Sequence, residues 1–173
     1  MNKKIALSFL LLALSLIGCG YKPSSYYTTP ILGKTINTQV DIDVENPTDS
    51  IFLKDALNEA VYSIFNAKIS KNADSTIKLK INSSTLDVLD YDSNGYPILY
   101  RASTTITAYI TDKNGSKYEY VGNGDYDFSL NSNSVLSDNL KHNAMKEAYI
   151  RALQEIEFKI AKKGIENDNQ RSK

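Results

Sequence analysis

Four places in this chain hold residues whose chemistry is worth asking about. They are the single thiol of Cys19, the single imidazole of His142, the acidic run around Asp90 and Asp92, and the glycines Gly122 and Gly124. Asp90, Asp92, Asn94 and Gly95 stand at positions one, three, five and six of a calcium-binding loop, where oxygens gather around a sharp turn. The twelfth position should be a glutamate offering two oxygens. Here it is Arg101, a cation, and no helical pattern flanks the loop, so the spacing supports an acidic hairpin turn instead. Gly122 and Gly124 lack the third glycine of a dinucleotide fingerprint and do not lead from a strand into a helix. His142 has no second histidine to share a zinc ion with. No nucleophile, base and orienting acid group together along the chain, so its residues point away from catalysis and from any cofactor.

Cys19 closes a segment of a different kind. Lys3 and Lys4 precede an apolar run from Ile5 to Ile17, and Gly18 leads into the cysteine. A basic start, a short apolar stretch and a small residue before the cut form the layout of a secretion signal. The run falls short of the roughly twenty apolar residues that a membrane-spanning helix needs. Leu16, Ile17, Gly18 and Cys19 together resemble the bacterial lipobox. That resemblance implies removal of residues 1–18, a diacylglycerol on the Cys19 sulfur, and acylation of the new amino group by a chain such as palmitate. Each buried methylene adds about 0.8 kcal/mol to membrane binding, so two or more chains hold a domain stably. Gly20, where an aspartate would signal retention in the inner membrane, implies the outer membrane. With one cysteine and that one lipidated, no disulfide framework is expected.

Losing Lys3 and Lys4 leaves 18 cations against 20 acids. A near-neutral chain without a basic stripe lacks what nucleic acid requires for counterion release. The length suits one domain. Residues 19–35 read as a lipidated tether, because Pro23, Ser24, Ser25, Thr28, Thr29 and Pro30 interrupt helical and strand patterns. Tyr21, Tyr26 and Tyr27 lie within it, able to meet headgroups, a partner or their own domain.

Residues 36–164 read as a single α+β domain. Val40, Ile42 and Val44 alternate with polar residues from Thr38 to Glu45, which predicts a half-buried strand ending at Asn46 and Pro47. Leu53, Ala56, Leu57, Ala60, Val61 and Ile64 fall at helical spacing. Three more strands follow, through Ile77 to Ile81, Ile106 to Ile110, and Tyr118 to Phe128. Asn94-Gly95 and Asn114-Gly115 suit type I′ turns between them, and Gly122 and Gly124 suggest a bulge or bend. A last helix spans about Asp138 to Lys163, with Gly164 as its stop and a charged tail over 165–173. The expected architecture is a two-layer sandwich in the order β-α-β-β-β-α. Its four-stranded, mainly antiparallel sheet carries two helices on one face, leaving Lys78, Lys80, Arg101, Ser103, Thr105 and Thr107 on the open one.

The Cys19-Gly20-Tyr21 start and the Tyr100-Arg101 pair leading into the alternating run from Thr104 to Ile110 resemble the lipopolysaccharide-assembly lipoprotein family, LptE. The turn from Asp112 to Gly115 and the alanine-spaced last helix from Asn139 to Lys162 extend that likeness over most of the mature chain. The resemblance implies a non-enzymatic protein on the periplasmic side of the outer membrane. It would plug an LptD-type β-barrel and help insert lipopolysaccharide in the outer leaflet. The 12 tyrosines and absent tryptophan suit such contacts, since tyrosine couples an apolar ring to a hydrogen-bonding tip. Lys78, Lys80 and Arg101 are the candidate phosphate-binding residues, because cations pair with phosphate through charge-assisted bonds. The same anchored-domain logic also suits an auxiliary subunit of another envelope transport or secretion complex.

Overall fold

The computed structural model describes residues 23–41, 47–131 and 134–171. The signal segment, Cys19, Gly20, Tyr21, and the Ile42 and Val44 end of the first strand pattern lie outside the described residues. Helix α1 (Ser24–Leu32) occupies the stretch expected as tether. Pro23 precedes the helix, where its missing N–H is no loss, and Gly33 closes it at φ 79° by donating to the Thr29 carbonyl at 2.8 Å. Pro30 in the last turn costs about 3 kcal/mol. Ile31 and Leu32 are 5% and 1% exposed, and burial at about 1.5–3 kcal/mol each outweighs that cost.

Strand β1 (Thr35–Val40), helix α2 (Pro47–Ser63) and strand β2 (Lys68–Ile69) follow, then β3 (Ser75–Tyr91), β4 (Pro97–Thr111), β5 (Lys117–Ser129) and α3 (Asp138–Arg171). The fold is α+β as expected, but among the described residues it has three helices and a five-stranded mixed sheet in the order β2-β1-β3-β4-β5. The expected four strands omit β2, whose two residues carry no periodicity. The expected antiparallel preference fails at β1, which runs parallel to both β2 and β3. The chain leaves β1 through a helix and returns beside it, and such a crossover makes strands parallel. The antiparallel ladders are β3 with β4 and β4 with β5.

The inward-facing residues match the alternation read from sequence. Ile77, Leu79, Ile106, Ala108 and Ile110 are buried beneath the helices, as are Leu53, Ala56, Leu57, Ala60 and Val61 of α2. Helix α2 packs on β1, α3 packs on β4 and β5, and α1 packs on α3.

Three local expectations change. Both hairpin turns use an Asp-x-Asn-Gly frame rather than a type I′ turn, because Gly95 and Gly115 have positive φ while Asn94 and Asn114 do not. Asp92 Oδ1 accepts from the amides of Asn94 and Tyr96, each at 2.9 Å, and Asp112 Oδ1 accepts from Asn114 and Ser116 at 2.7 and 2.9 Å. The acidic run therefore spends Asp92 on its own turn. Second, the β4–β5 register is unbroken across Gly122 and Gly124. A Cβ on Gly124 would lie 1.9 Å from the Ala148 carbonyl oxygen, and one on Gly122 would lie 2.3 Å from that of Ala152. These glycines let α3 sit against the sheet. Third, α3 continues past Gly164, where a Cβ would lie 2.1 Å from the Tyr27 oxygen. That glycine makes room for α1 rather than ending the helix.

Candidate functional surface

The open sheet face carries the odd-numbered residues of β4 and β5, and here the three expected cations do not form one patch. Lys78 and Lys80 lie opposite Tyr109 and Thr107 on β4, while Arg101 is six residues further along that strand. At about 3.4 Å per residue the separation is ~20 Å. Arg101 is also already matched, since its Nε and Nη2 donate to the two Asp127 oxygens at 2.6 and 2.7 Å. That fork holds Asp127 below the usual carboxylate range and keeps the guanidinium charged. Asp87 stands opposite Arg101 on β3, and Asp125 lies close enough to add to the field on it. This end of the face is acidic overall.

The other end is different. A cleft of about 770 Å³ opens where β1 ends and α2 begins, with Val40 and Ile51 as apolar lining and Lys54, Lys78, Asp41 and Asp55 around them. Lys78 Nζ meets Asp41 Oδ1 at 2.6 Å, both side chains nearly half exposed, and such surface pairs are worth little. Lys54 lies off the apolar stripe of α2, yet its side chain does not run out into solvent. It instead turns back to donate to the Thr38 carbonyl, and to Thr38 Oγ1 at 2.7 Å. Burial pulls its ammonium below the ordinary lysine value. Lysine spacing on α2 carries no sign of this, because the partner strand decides it. Lys80 is exposed beside Lys78 on the same strand face, next to the cleft but not in its lining.

Cys19 lies outside the described residues. His142, the lone imidazole, packs on Phe52 with ring centroids 4.3 Å apart, a structural contact between α3 and α2. Between Tyr118 and Phe128, the side chains of Tyr118, Tyr120, Tyr126 and Phe128 pack against the core beneath α3. Tyr91 and Tyr96 are more than half exposed at the β3–β4 tip.

The lipopolysaccharide-assembly family LptE matches residues 38–160, from β1 through most of α3. No curated protein matches the chain. Among solved structures it is similar to a candidate lipoprotein from Caulobacter crescentus CB15, with a TM-score of 0.51 and 13% identity, covering 80% of this chain and 93% of that one. It is also similar to rare lipoprotein B from Shewanella oneidensis, with a TM-score of 0.47 and 12% identity, covering 80% and 99%. A minor lipoprotein from Acinetobacter baumannii gives a TM-score of 0.43 and 14% identity, covering 78% and 95%. At such identity the first likeness speaks to fold alone.

Proposed function

This chain belongs to the LptE lipopolysaccharide-assembly family, and on that premise we propose that it is a lipid-anchored outer-membrane subunit working by fit rather than by catalysis. The observation that carries the reading is the family match over residues 38–160, from within β1 through most of α3. The lipobox ending at Cys19 supports the anchor. In this reading an LptD-type β-barrel takes the domain as a plug. Barrel interiors are polar, and the hydroxyl-bearing open face is suited to one, with Thr105 Oγ1 bonded to Asn123 Oδ1 at 3.0 Å. Depleting the protein should lower both mature barrel and surface lipopolysaccharide. Normal levels of both would refute the assignment.

Lipopolysaccharide contact is assigned, as part of the same proposal, to the cationic end of the open face. Lys78 and Lys80 can approach a phosphate there beside the apolar cleft. Arg101 has its two forked donors committed to Asp127, so it contributes less. Reversing Lys78 and Lys80 to glutamate should weaken lipopolysaccharide binding by the purified protein, and Arg101→Gln should weaken it less. Binding unchanged by the double reversal at low salt would discard the site.

A further inference from the structure

The start of α1 packs on α3. Ser24 lies close enough to the carboxyl of Glu157 to act on it; Glu157 is only 7% exposed, and its Oε1 has no partner among the described residues. Tyr27 rests its backbone on Gly164, and Thr28 is fully buried. Glu157 and Gly164 thus mark the stripe of α3 that carries α1. Phe158 and Ile165 each follow one of these positions, so both lie about 100° round the helix on the neighbouring stripe. They are 67% and 40% exposed, and Tyr26 on α1 is 49% exposed. Lys162, also exposed, falls between Phe158 and Ile165.

We infer that, before a barrel takes up the domain, this surface, formed by Tyr26, Phe158, Lys162 and Ile165, rests on the phospholipid headgroup region and fixes the orientation of the domain at the membrane. The inference rests on the anchor proposed at Cys19. Four residue steps separate Cys19 from Pro23, and a fully extended chain covers no more than ~14 Å in that distance. Because α1 is docked on α3 and is not slack, that limit applies to the folded domain. The surface beside α1 is therefore drawn to the bilayer that holds the lipid. Its composition fits that position: tyrosine rings sit at the boundary between water and hydrocarbon, apolar side chains enter it, and a lysine stem lies along it with its ammonium in the headgroups. This surface belongs to the helical layer, so the open sheet face stays available to a partner.

The chain has no tryptophan, so one introduced indole reports alone. The lipidated full-length protein carrying Phe158→Trp is reconstituted in phosphatidylethanolamine–phosphatidylglycerol vesicles with brominated acyl chains. The same is done with Tyr91→Trp, at the distant β3–β4 tip. Emission from the first should shift to the blue and be quenched several times more strongly than emission from the second. Equal or absent quenching at both positions, with mass spectrometry showing an acylated Cys19, would overturn the membrane-facing surface and leave the anchor standing. An unmodified Cys19 sulfur would remove the anchor, and the orientation with it.

Discussion

The β5 edge of the sheet and the stretch of β3 that runs past the end of β1 are treated in opposite ways. On the β5 side, α3 lays three side chains one turn apart along the exposed backbone. Arg151 donates to the Asp125 carbonyl at 2.9 Å, Glu155 accepts from the Asn123 amide at 2.6 Å, and Lys159 donates to the Val121 carbonyl at 2.6 Å. Lys159 and Glu155 also pair with each other at 2.8 Å, and the Arg151 guanidinium lies 5.1 Å from the centre of the Tyr126 ring. On the β3 side, β1 ends its pairing at Leu79, and from Lys80 to Tyr91 the strand has no neighbour beyond β4 among the described residues. Register shifts at Ile81/Ser83 and between Val88 and Tyr91 interrupt that stretch, and Asp87 and Asp90 add charge to it. Bulges and charges blunt an edge against indiscriminate pairing. One edge is closed by the chain itself. The other is bulged and charged, and among the described residues it is unpaired.

The closed edge depends on how closely α3 approaches β5, so the largest effect is expected at Gly124. In Gly124→Ala the new methyl meets a backbone carbonyl, which has no rotamer to escape into, and α3 must lift along with its three edge contacts. The expected loss is ~3 kcal/mol, at the upper end for overpacking, read from the denaturant midpoint. Gly115→Ala is the control. Its Cβ meets nothing within 4 Å and its cost comes from φ of 81° alone, about 1–2 kcal/mol. Equal losses in the two variants would mean that close approach is not what Gly124 provides.

Glu155→Gln tests the charge in the seal while keeping its shape. The hydrogen bond from Lys159, followed by the Asn123 amide, holds the Glu155 carboxyl below its ordinary value. A depressed carboxylate stabilises the fold above its unfolded pKa, about 4.3, and that contribution disappears as pH falls through the folded value. Allowing for a side chain about one-third exposed, the variant should lose ~1 kcal/mol at neutral pH. The gap to the parent should close as pH falls below the carboxylate range. A gap that persists there would assign the effect to packing.

These two edges also show what a single chain of residues makes legible. Alternation in β4 and the apolar stripe of α2 reflect burial of each residue's own side chain, so their inward faces could be read directly. The glycines of β5 and Gly164 of α3 could not, since a bend, a helix stop and a close approach all call for the same missing Cβ. The partner that decides between them, Ala148 or Tyr27, is far away in sequence. Helix α1 was hidden for a similar reason: two prolines argue against it locally, and Glu157 and Gly164 hold it from the other end of the chain. Of the candidate cations, Lys78 and Lys80 could be placed on one face by parity. The commitment of Arg101 to Asp127 depends on the β4–β5 register, which parity does not supply.

The open edge gives the smallest effect in isolation. Leu89 is 43% exposed near the free end of β3 and packs in no buried cluster, so Leu89→Lys should shift stability by no more than about 0.5 kcal/mol, as surface substitutions do. Lysine on an edge strand opposes addition of another strand. The same variant should therefore be recovered with less barrel after gentle detergent extraction, if the barrel uses this edge. The two readings separate cleanly. A large stability loss would mean that β3 is supported here by contacts the edge comparison leaves out. Unchanged recovery with the proposed barrel partner at unchanged stability would mean that docking does not use this edge.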